Sequence, residues 1–427
     1  MFIYIPLSIL SGVALYFFYT KETQTIDRLI RAGETNNIIF KEKLITGTFR
    51  EIIGDLKLLS KLHEIRKATG YEAEFDRIGL VNDFHHLSLY KGIYDQIRYL
   101  DRTGMEVVRI NNNHGNPVTV AKENLQNKQK RYYFQDTLRL AENEVFISPL
   151  DLNIEHGKIE IPIKPVIRFG IPVLDREGRK QGVGLLNYRA DILIDNLAKN
   201  HAGTSAPGEF FFLNSEGYWL TDGEDENGWG FMFEDRKDKT VGSLYPLEWK
   251  KILGLESGQI LTGEGLFTFA TFYPLGESQR SSTGSIKAYE NSRSGRHGKE
   301  YFFKLVSHIP MAVLTEKKLE VLTPMLQLFV FLNIFFLLGA LLFARFRSDR
   351  SKHRYEQKQK RIQNEKLQGA LELAAAVSHE INQPLMVISG YAEMLLEDIP
   401  ENTPLHKNLA EIKTQTDRMG RISDKLM

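Results

Sequence analysis

The chemistry of this chain concentrates around His379, in the run Val377-Ser378-His379-Glu380-Ile381-Asn382-Gln383-Pro384-Leu385. The histidine stands next to a carboxylate, Glu380. Asn382 and Gln383 follow three and four residues on, which on a helix places them on the face of His379. Pro384 has no amide hydrogen for the Glu380 carbonyl, so it loosens the turn beside His379. A histidine on a loosened turn is open to a nucleotide or to a partner protein. An exposed histidine on a helix is ordinarily just a solvated side chain; its neighbours set this one apart.

Two helices must position it. Leu367, Leu371, Ala374, Ser378, Ile381, Leu385, Ile388, Ala392 and Leu395 recur four and three apart, the pattern of a bundle seam. The segment from Glu397 to Pro404, with Pro400 inside it, breaks the helix. Leu405, Leu409, Ile412, Thr416, Met419 and Leu426 then continue a similar seam. His379 follows Ser378 directly, so it sits beside the seam and faces solvent. A hairpin of two such helices leaves its apolar stripe uncovered. Two hairpins together give a dimeric four-helix bundle, so a homodimer is expected.

The box and its hairpin resemble the phospho-acceptor region of bacterial sensor histidine kinases. The resemblance implies that His379 takes the γ-phosphate of ATP through a neutral ring nitrogen. Glu380 is then the adjacent acid or base that orients or deprotonates the imidazole. Asn382 shares the face, and Gln383 holds the position from which many relatives place water to dephosphorylate the response regulator. Relatives with that activity often carry Thr or Asn there. The family continues with an Asn box for magnesium and Gly-rich boxes for ATP. The sequence to Met427 contains neither, and no G-x-x-x-x-G-K-[ST] loop lies upstream. No cofactor is expected within this chain; ATP and Mg are expected only from a missing or trans-acting ATPase domain. Two readings follow. One is a two-component sensor histidine kinase that hands its phosphoryl group to a response-regulator Asp. The other is a non-enzymatic membrane receptor, a phosphotransfer or docking subunit phosphorylated in trans.

The 427 residues allow two to four domains, and 55 basic against 54 acidic side chains leave a net charge of +1. Nothing in that balance points to nucleic acid. With no cysteine, disulfides, zinc thiolates and thiol catalysis are excluded. Residues 2–19 and 322–343 are uncharged and about a bilayer long. The first lacks a basic n-region, and Leu15-Tyr16-Phe17-Phe18 occupies the place of a cleavage site, which favours an uncleaved anchor. Arg345, Arg347, Arg350, Lys352 and Arg354 follow the second span. The positive-inside bias puts both termini in the cytoplasm and residues from about 20 to 320 outside it. The basic stalk at 345–366 also suits anionic membrane lipid.

Between the spans, residues 22–70 read as a long helix, with Ile26, Leu29, Ile30, Ile39, Leu44, Ile52, Ile53, Leu56, Leu59 and Leu62 at roughly helical spacing. Strand, Asx-x-x-Gly turn and strand then recur at 96–110, 166–187 and 210–220. A fourth strand pair, 266–273 and 301–308, brackets a polar stretch at 276–299 that reads as a mobile loop. The long helix, the twin antiparallel sheets and the runs at 94–101, 131–136 and 148–151 resemble a double Cache (PAS-like) sensor. That resemblance implies a small-molecule ligand in the membrane-distal unit, with Arg131, Tyr133, Asp136, Asp151 and Arg168 as candidate contacts. An Arg can clamp a carboxylate in two parallel hydrogen bonds, and aromatic rings can wall the pocket. The acidic cluster Asp222, Glu224, Asp225 and Glu226 lacks calcium-loop spacing and reads as a solvated turn, so no metal is expected.

The expected fold is a multidomain α+β membrane protein of the bacterial inner membrane. Its parts are transmembrane helices at 2–19 and 322–343, a sensor helix at 22–70, and tandem Cache-like units at 71–200 and 205–312. A stalk at 345–366 and a phosphotransfer hairpin at 367–427 complete it.

Overall fold

The computed structural model describes residues 4–68, 73–113, 115–155, 158–199, 208–221, 226–284, 295–296 and 298–425. Most of the acidic cluster, Asp222, Glu224 and Asp225, lies outside them. Two compact units result, one of Tyr16–Leu326 and one of Met1–Leu15 with Gln327–Met427.

The sensor unit starts on α1 (Tyr4–Ala68) and α2 (Ala73–Lys91). Strands β1 (Tyr94–Asp101), β2 (Glu106–Asn113) and β3 (Asn116–Thr119) lead to helix α3 (Tyr132–Arg139). Then come β4 (Val145–Ile147), β5 (Asp151–Leu152), β6 (Ile154–Glu155), β7 (Lys158–Ile159), β8 (Pro165–Leu174), β9 (Lys180–Arg189) and α4 (Ala190–Lys199). The second, proximal half of the sensor holds β10 (Glu209–Asn214), α5 (Val241–Leu244), α6 (Pro246–Gly254), β11 (Ser257–Thr262) and β12 (Gly265–Phe272). It ends with β13 (Gln279–Ser282), β14 (Gly295–Arg296) and β15 (Phe303–Pro310).

The distal sheet runs β14-β13-β4-β8-β9-β1-β2-β3, with β5 on β8. Alternation sorts its side chains. Ile97, Tyr99, Ile110, Ile167, Phe169, Leu186 and Tyr188 join the core against α1, where Ile38, Ile45, Phe49, Ile52 and Leu56 recur at helical spacing. The opposite face packs under α3, with Leu100, Tyr132, Tyr133, Phe134, Phe146 and Leu185 in a second cluster. The expected turns at 101–104 and 175–178 form, with Gly104 at φ +83 and Gly178 at φ +79, a region glycine enters without a Cβ clash.

The proximal sheet runs β10-β15-β12-β11. Trp219, Trp249, Phe267, Phe269 and Val306 fill its core. Lys304 is buried beneath α6, where its Nζ donates to the Ile252 carbonyl at 2.8 Å and the Leu255 carbonyl at 2.7 Å. These are orphan carbonyls at a helix C-terminus, and a cation satisfies them. Lys41 of α1 does the same for α4, donating to the Leu197 carbonyl.

Two sensor expectations need correction. The third hairpin has only one true strand. Beyond its turn, Trp219 makes a single bridge to Leu213, and β10 finds its partner in β15 instead. The stretch at 276–299 is not all loop. β13 pairs in parallel with β4 of the distal sheet, and Arg280 meets Glu144 at 2.6 Å. Residues 285–294 and 297 lie outside the described part.

In the helical unit, α7 (Met311–Asp398) is one continuous 88-residue helix and α8 (Pro404–Asp424) returns beside it. Thr403 caps α8, accepting from the His406 amide at 3.3 Å. Among the described residues α7 is the one helix with a stretch apolar and long enough to cross a membrane, with mean hydropathy 2.4 and no part buried. The start of α1 lies against it: Tyr4 Oη donates to Asn333 Oδ1 at 3.3 Å, and Ser8 Oγ donates to the same oxygen. The bundle seam divides in two. Ser378, Leu385 and Ala392 are buried, and Ser378 Oγ donates to the Ser423 carbonyl at 3.0 Å. Leu371, Ile381, Ile388 and Leu395 remain exposed. Ser378 therefore belongs to the contact within one hairpin, because every seventh residue on α7 turns toward its own α8.

Candidate functional site

The helical unit sets His379 in the open. Ser378 before it is 1% exposed and fixes the rotation of α7 against α8. The lock is reciprocal, since Ser423 Oγ donates to the Ser378 carbonyl at 3.2 Å. His379, Glu380 and Gln383 are all exposed, so a reagent or partner reaches them freely. Asn382 is engaged instead: its Nδ2 donates to Asp424 Oδ1 at 2.8 Å. Beside it runs an open groove between α7 and α8, lined by Leu385, Ser389, Glu393, Thr416 and Asp417 among others. The groove sets Ser389, Thr416, Glu393, Asp417 and Asp424 beside Leu385, Met386 and Arg421, and Lys413 pairs with Glu393 at its edge.

The second site is a buried polar cluster on the α3 face of the distal sheet. Strand alternation puts Arg98 and Arg168 there, opposite the apolar face. The Tyr133 ring lies between them, 5.3 Å from the Arg98 guanidinium and 5.5 Å from that of Arg168. Arg98 donates to Tyr133 Oη at 3.3 Å and to Asn187 Oδ1 at 2.8 Å. Its carboxylate neighbour is Glu106 at 3.7 Å. Arg168 pairs with Asp151 at 2.8 Å and donates to Asn153 Oδ1 at 3.2 Å.

Charge is uneven around Tyr133. Burial pushes its phenol up, but Arg98, Lys128, Arg168 and Arg131 outweigh that and hold it below the ordinary value. Burial pulls Lys128 down. Burial also works against the Arg168 charge, yet Asp151 and the two phenols more than offset it, so this guanidinium stays charged. Asp151 further lines a cavity of about 160 Å³ between the two halves of the sensor, with Leu150, Phe231, Met232, Tyr301 and Phe303. Tyr301 stitches those halves together: its Oη accepts from the Leu150 amide at 3.1 Å and donates to the Ser148 carbonyl at 3.2 Å.

Of the five residues picked from sequence, Tyr133, Asp151 and Arg168 come together. Arg131 occupies the N-cap position of α3 without a side-chain capping bond and acts on Tyr133 through its charge. Asp136 points toward Arg139, 3.8 Å away on the outer side of α3. Sequence reasoning missed Arg98, Glu106, Lys128 and Asn187. A signal existed for Arg98: it interrupts the apolar run Ile97-Arg98-Tyr99-Leu100 with the period of a strand.

Comparison with known proteins follows the same division. The family model "Bacterial histidine kinase, sensor domain" matches residues 38–280. The model "His Kinase A (phospho-acceptor) domain" matches residues 370–427. Among solved structures, a domain of a putative sensory box/GGDEF family protein from Vibrio parahaemolyticus is similar at a TM-score of 0.54 and 17% identity. The match covers 68% of this chain and 99% of that one. The extracellular domain of the putative histidine kinase vpHK1S-Z8 matches at a TM-score of 0.49 and 18% identity, over 66% of this chain and 95% of its own. The isoleucine-bound sensory domain of the Campylobacter jejuni chemoreceptor Tlp3 matches at 0.42 and 10% identity, over 72% and 98%. No curated protein matches the chain.

Proposed function

The chain belongs to the bacterial histidine kinases with this sensor domain, and on that footing we propose that it reads a small carboxylate outside the cell and carries a phosphoryl group on His379. The observation that carries the second half is the exposed His379 on α7, inside the phospho-acceptor match. A neutral ring nitrogen of His379 attacks the γ-phosphorus of ATP; a P–N bond forms and the P–O bond to ADP breaks. Glu380 takes or orients the proton on the imidazole. ATP and Mg are held by an ATPase domain outside residues 1–427. The phosphoryl group then passes to an Asp of a response regulator, which docks on the groove beside Asn382. Gln383 sits where water for the reverse, dephosphorylating step would be held.

The chain works as a homodimer, since the exposed stripe of Ile381, Ile388 and Leu395 needs a second copy to cover it. It sits in the cell membrane with two spans and both termini inside. Support comes from the apolar exposed stretch of α7 and the basic run after it. The Tyr4, Ser8 and Asn333 contacts are the polar glue that membrane helices use.

Outside, the ligand is a small carboxylate recognised by Arg98, Arg168 and Tyr133. An excess of buried cation favours an anion, and guanidinium groups bind carboxylate in paired hydrogen bonds. Movement at Asp151 and Ser148 reaches Tyr301, then β15, and β15 runs straight into α7. A thermal-shift screen of the protein against succinate, glutamate and isoleucine tests this half. A carboxylate should raise the melting temperature of the wild type and leave Arg98→Lys unmoved. Equal shifts in both proteins would remove the Arg cluster from the ligand site.

A further inference from the structure

The second sheet of the sensor holds a buried histidine. His308 of β15 is 3% exposed. Its ring is stacked on Phe267 of β12, with centroids 4.3 Å apart and planes at 13°. Tyr245, between α5 and α6, meets it edge-on at 5.2 Å, and Phe211 of β10 lies at 6.1 Å.

The hydrogen bonds fix the tautomer. Nε2 lies 3.1 Å from the Glu264 carbonyl, and a carbonyl only accepts, so Nε2 carries a hydrogen. In the neutral ring Nδ1 is then a bare lone pair. Among the described residues Nδ1 has no hydrogen-bond partner. The Glu209 carboxylate lies across the sheet, 3.9 Å away. Two acceptors thus face each other, and one proton would satisfy both. The imidazolium so formed would also rest on the face of Phe267, which favours a cation.

The charged surroundings agree. Glu209 comes from β10, Glu264 from the β11–β12 turn and Glu248 from α6, and all three act on the Tyr245 phenol that touches His308. On β15 itself the charged group is Lys304, four residues away and committed to the end of α6. Of these carboxylates, Glu209 is the one placed against the His308 ring.

The position gives the proton something to move. Glu209 is the first residue of β10, an edge strand whose partner is β15, and it pairs in register with His308. The same Glu264 carbonyl that meets His308 also accepts from the Met311 amide at 3.1 Å. Met311 is the first residue of α7. The site therefore joins the strand by which the chain comes into this unit to the helix by which it leaves.

We propose that the membrane-proximal unit senses acid: His308 binds a proton, Glu209 swings in as its counter-ion, and the start of α7 responds. This reading does not depend on the carboxylate site in the distal unit.

The test uses the full chain in phospholipid nanodiscs. The sequence has no cysteine, so Thr315→Cys, exposed on the first turns of α7, accepts a single environment-sensitive fluorophore. Histidine Cε1 resonances are followed in parallel, with that of His308 assigned by its loss in His308→Phe. Scanned from about pH 5 to 8, the His308 resonance and the fluorophore should change together with one midpoint. Glu209→Gln should lower both midpoints. His308→Phe, which keeps the stack, should make the fluorophore signal flat over that range. A His308 resonance that does not move, or a midpoint unchanged in Glu209→Gln, overturns the proposal. Glu209 has a side chain 64% exposed, so this second variant keeps the test decisive if His308→Phe fails to fold.

Discussion

Buried charge dominates at the scale of single residues. Arg168 and Asp151 form a close pair with side chains 9% and 17% exposed. Removing one member leaves the other charged and unpaired, which costs about 3–5 kcal/mol. Arg168→Ala should therefore lower stability by that amount in a denaturant titration, whereas Arg179→Ala, at an exposed pair, should leave it almost unchanged. Lys304 makes a different prediction. Burial holds its ammonium down at about 8, against 10.5 for a free lysine. The folded chain then binds fewer protons than the unfolded chain between about pH 8 and 10.5, so folding grows more stable as pH rises through that window. Below pH 8 both forms are protonated and the slope vanishes. Buried tyrosines pull the other way near pH 10, because burial raises Tyr301 and Tyr188. The clean readout is the difference between wild type and Lys304→Met from pH 8 to 9.5, which should grow with pH. A constant difference would mean that Lys304 is charged throughout.

At the scale of elements, the divided seam separates two kinds of contact. Leu385 packs inside one hairpin, and Ile381 is 40% exposed and faces outward. Ile381→Asp should dissociate the dimer in sedimentation while leaving helix content intact. Leu385→Asp should lose helix content as well, since it buries a charge between α7 and α8. Cysteine at 381 should crosslink two copies readily, and cysteine at 378 should not. Equal crosslinking at both would return Ser378 to the dimer interface. The seam residues themselves were readable, because a four-and-three repeat is a local property of the chain. Which of them serve the hairpin and which the dimer was not, because one repeat supports both interfaces. The β1–β2 and β8–β9 pairings were readable for the same local reason, each closing on an Asx-x-x-Gly turn. The parallel pairing of β13 with β4 was not: it joins residues far apart in sequence, with no turn signal between them. The distal cluster shows both limits at once. Tyr133, Asp151 and Arg168 were found by residue type, but Arg98 and Glu106 needed the strand faces to be known.

At the scale of the whole molecule, the account joins an outside sensor to an inside phospho-acceptor. The membrane reading has its own check. A single cysteine at Asp175 should react with an impermeant maleimide in intact cells, and one at Ser351 only after permeabilisation. Reaction of both from outside would contradict the two-span arrangement. The central claim rests on His379. The most direct measurement supplies a competent ATPase domain in trans with γ-labelled ATP, then reads acid-labile phosphate on the wild type and on His379→Gln. The account predicts label on the wild type and none on the variant, with the variant still dimeric. Acid-labile phosphate retained on His379→Gln, or a wild type that takes no label beside a kinase domain that is active on its own phospho-acceptor, would contradict it.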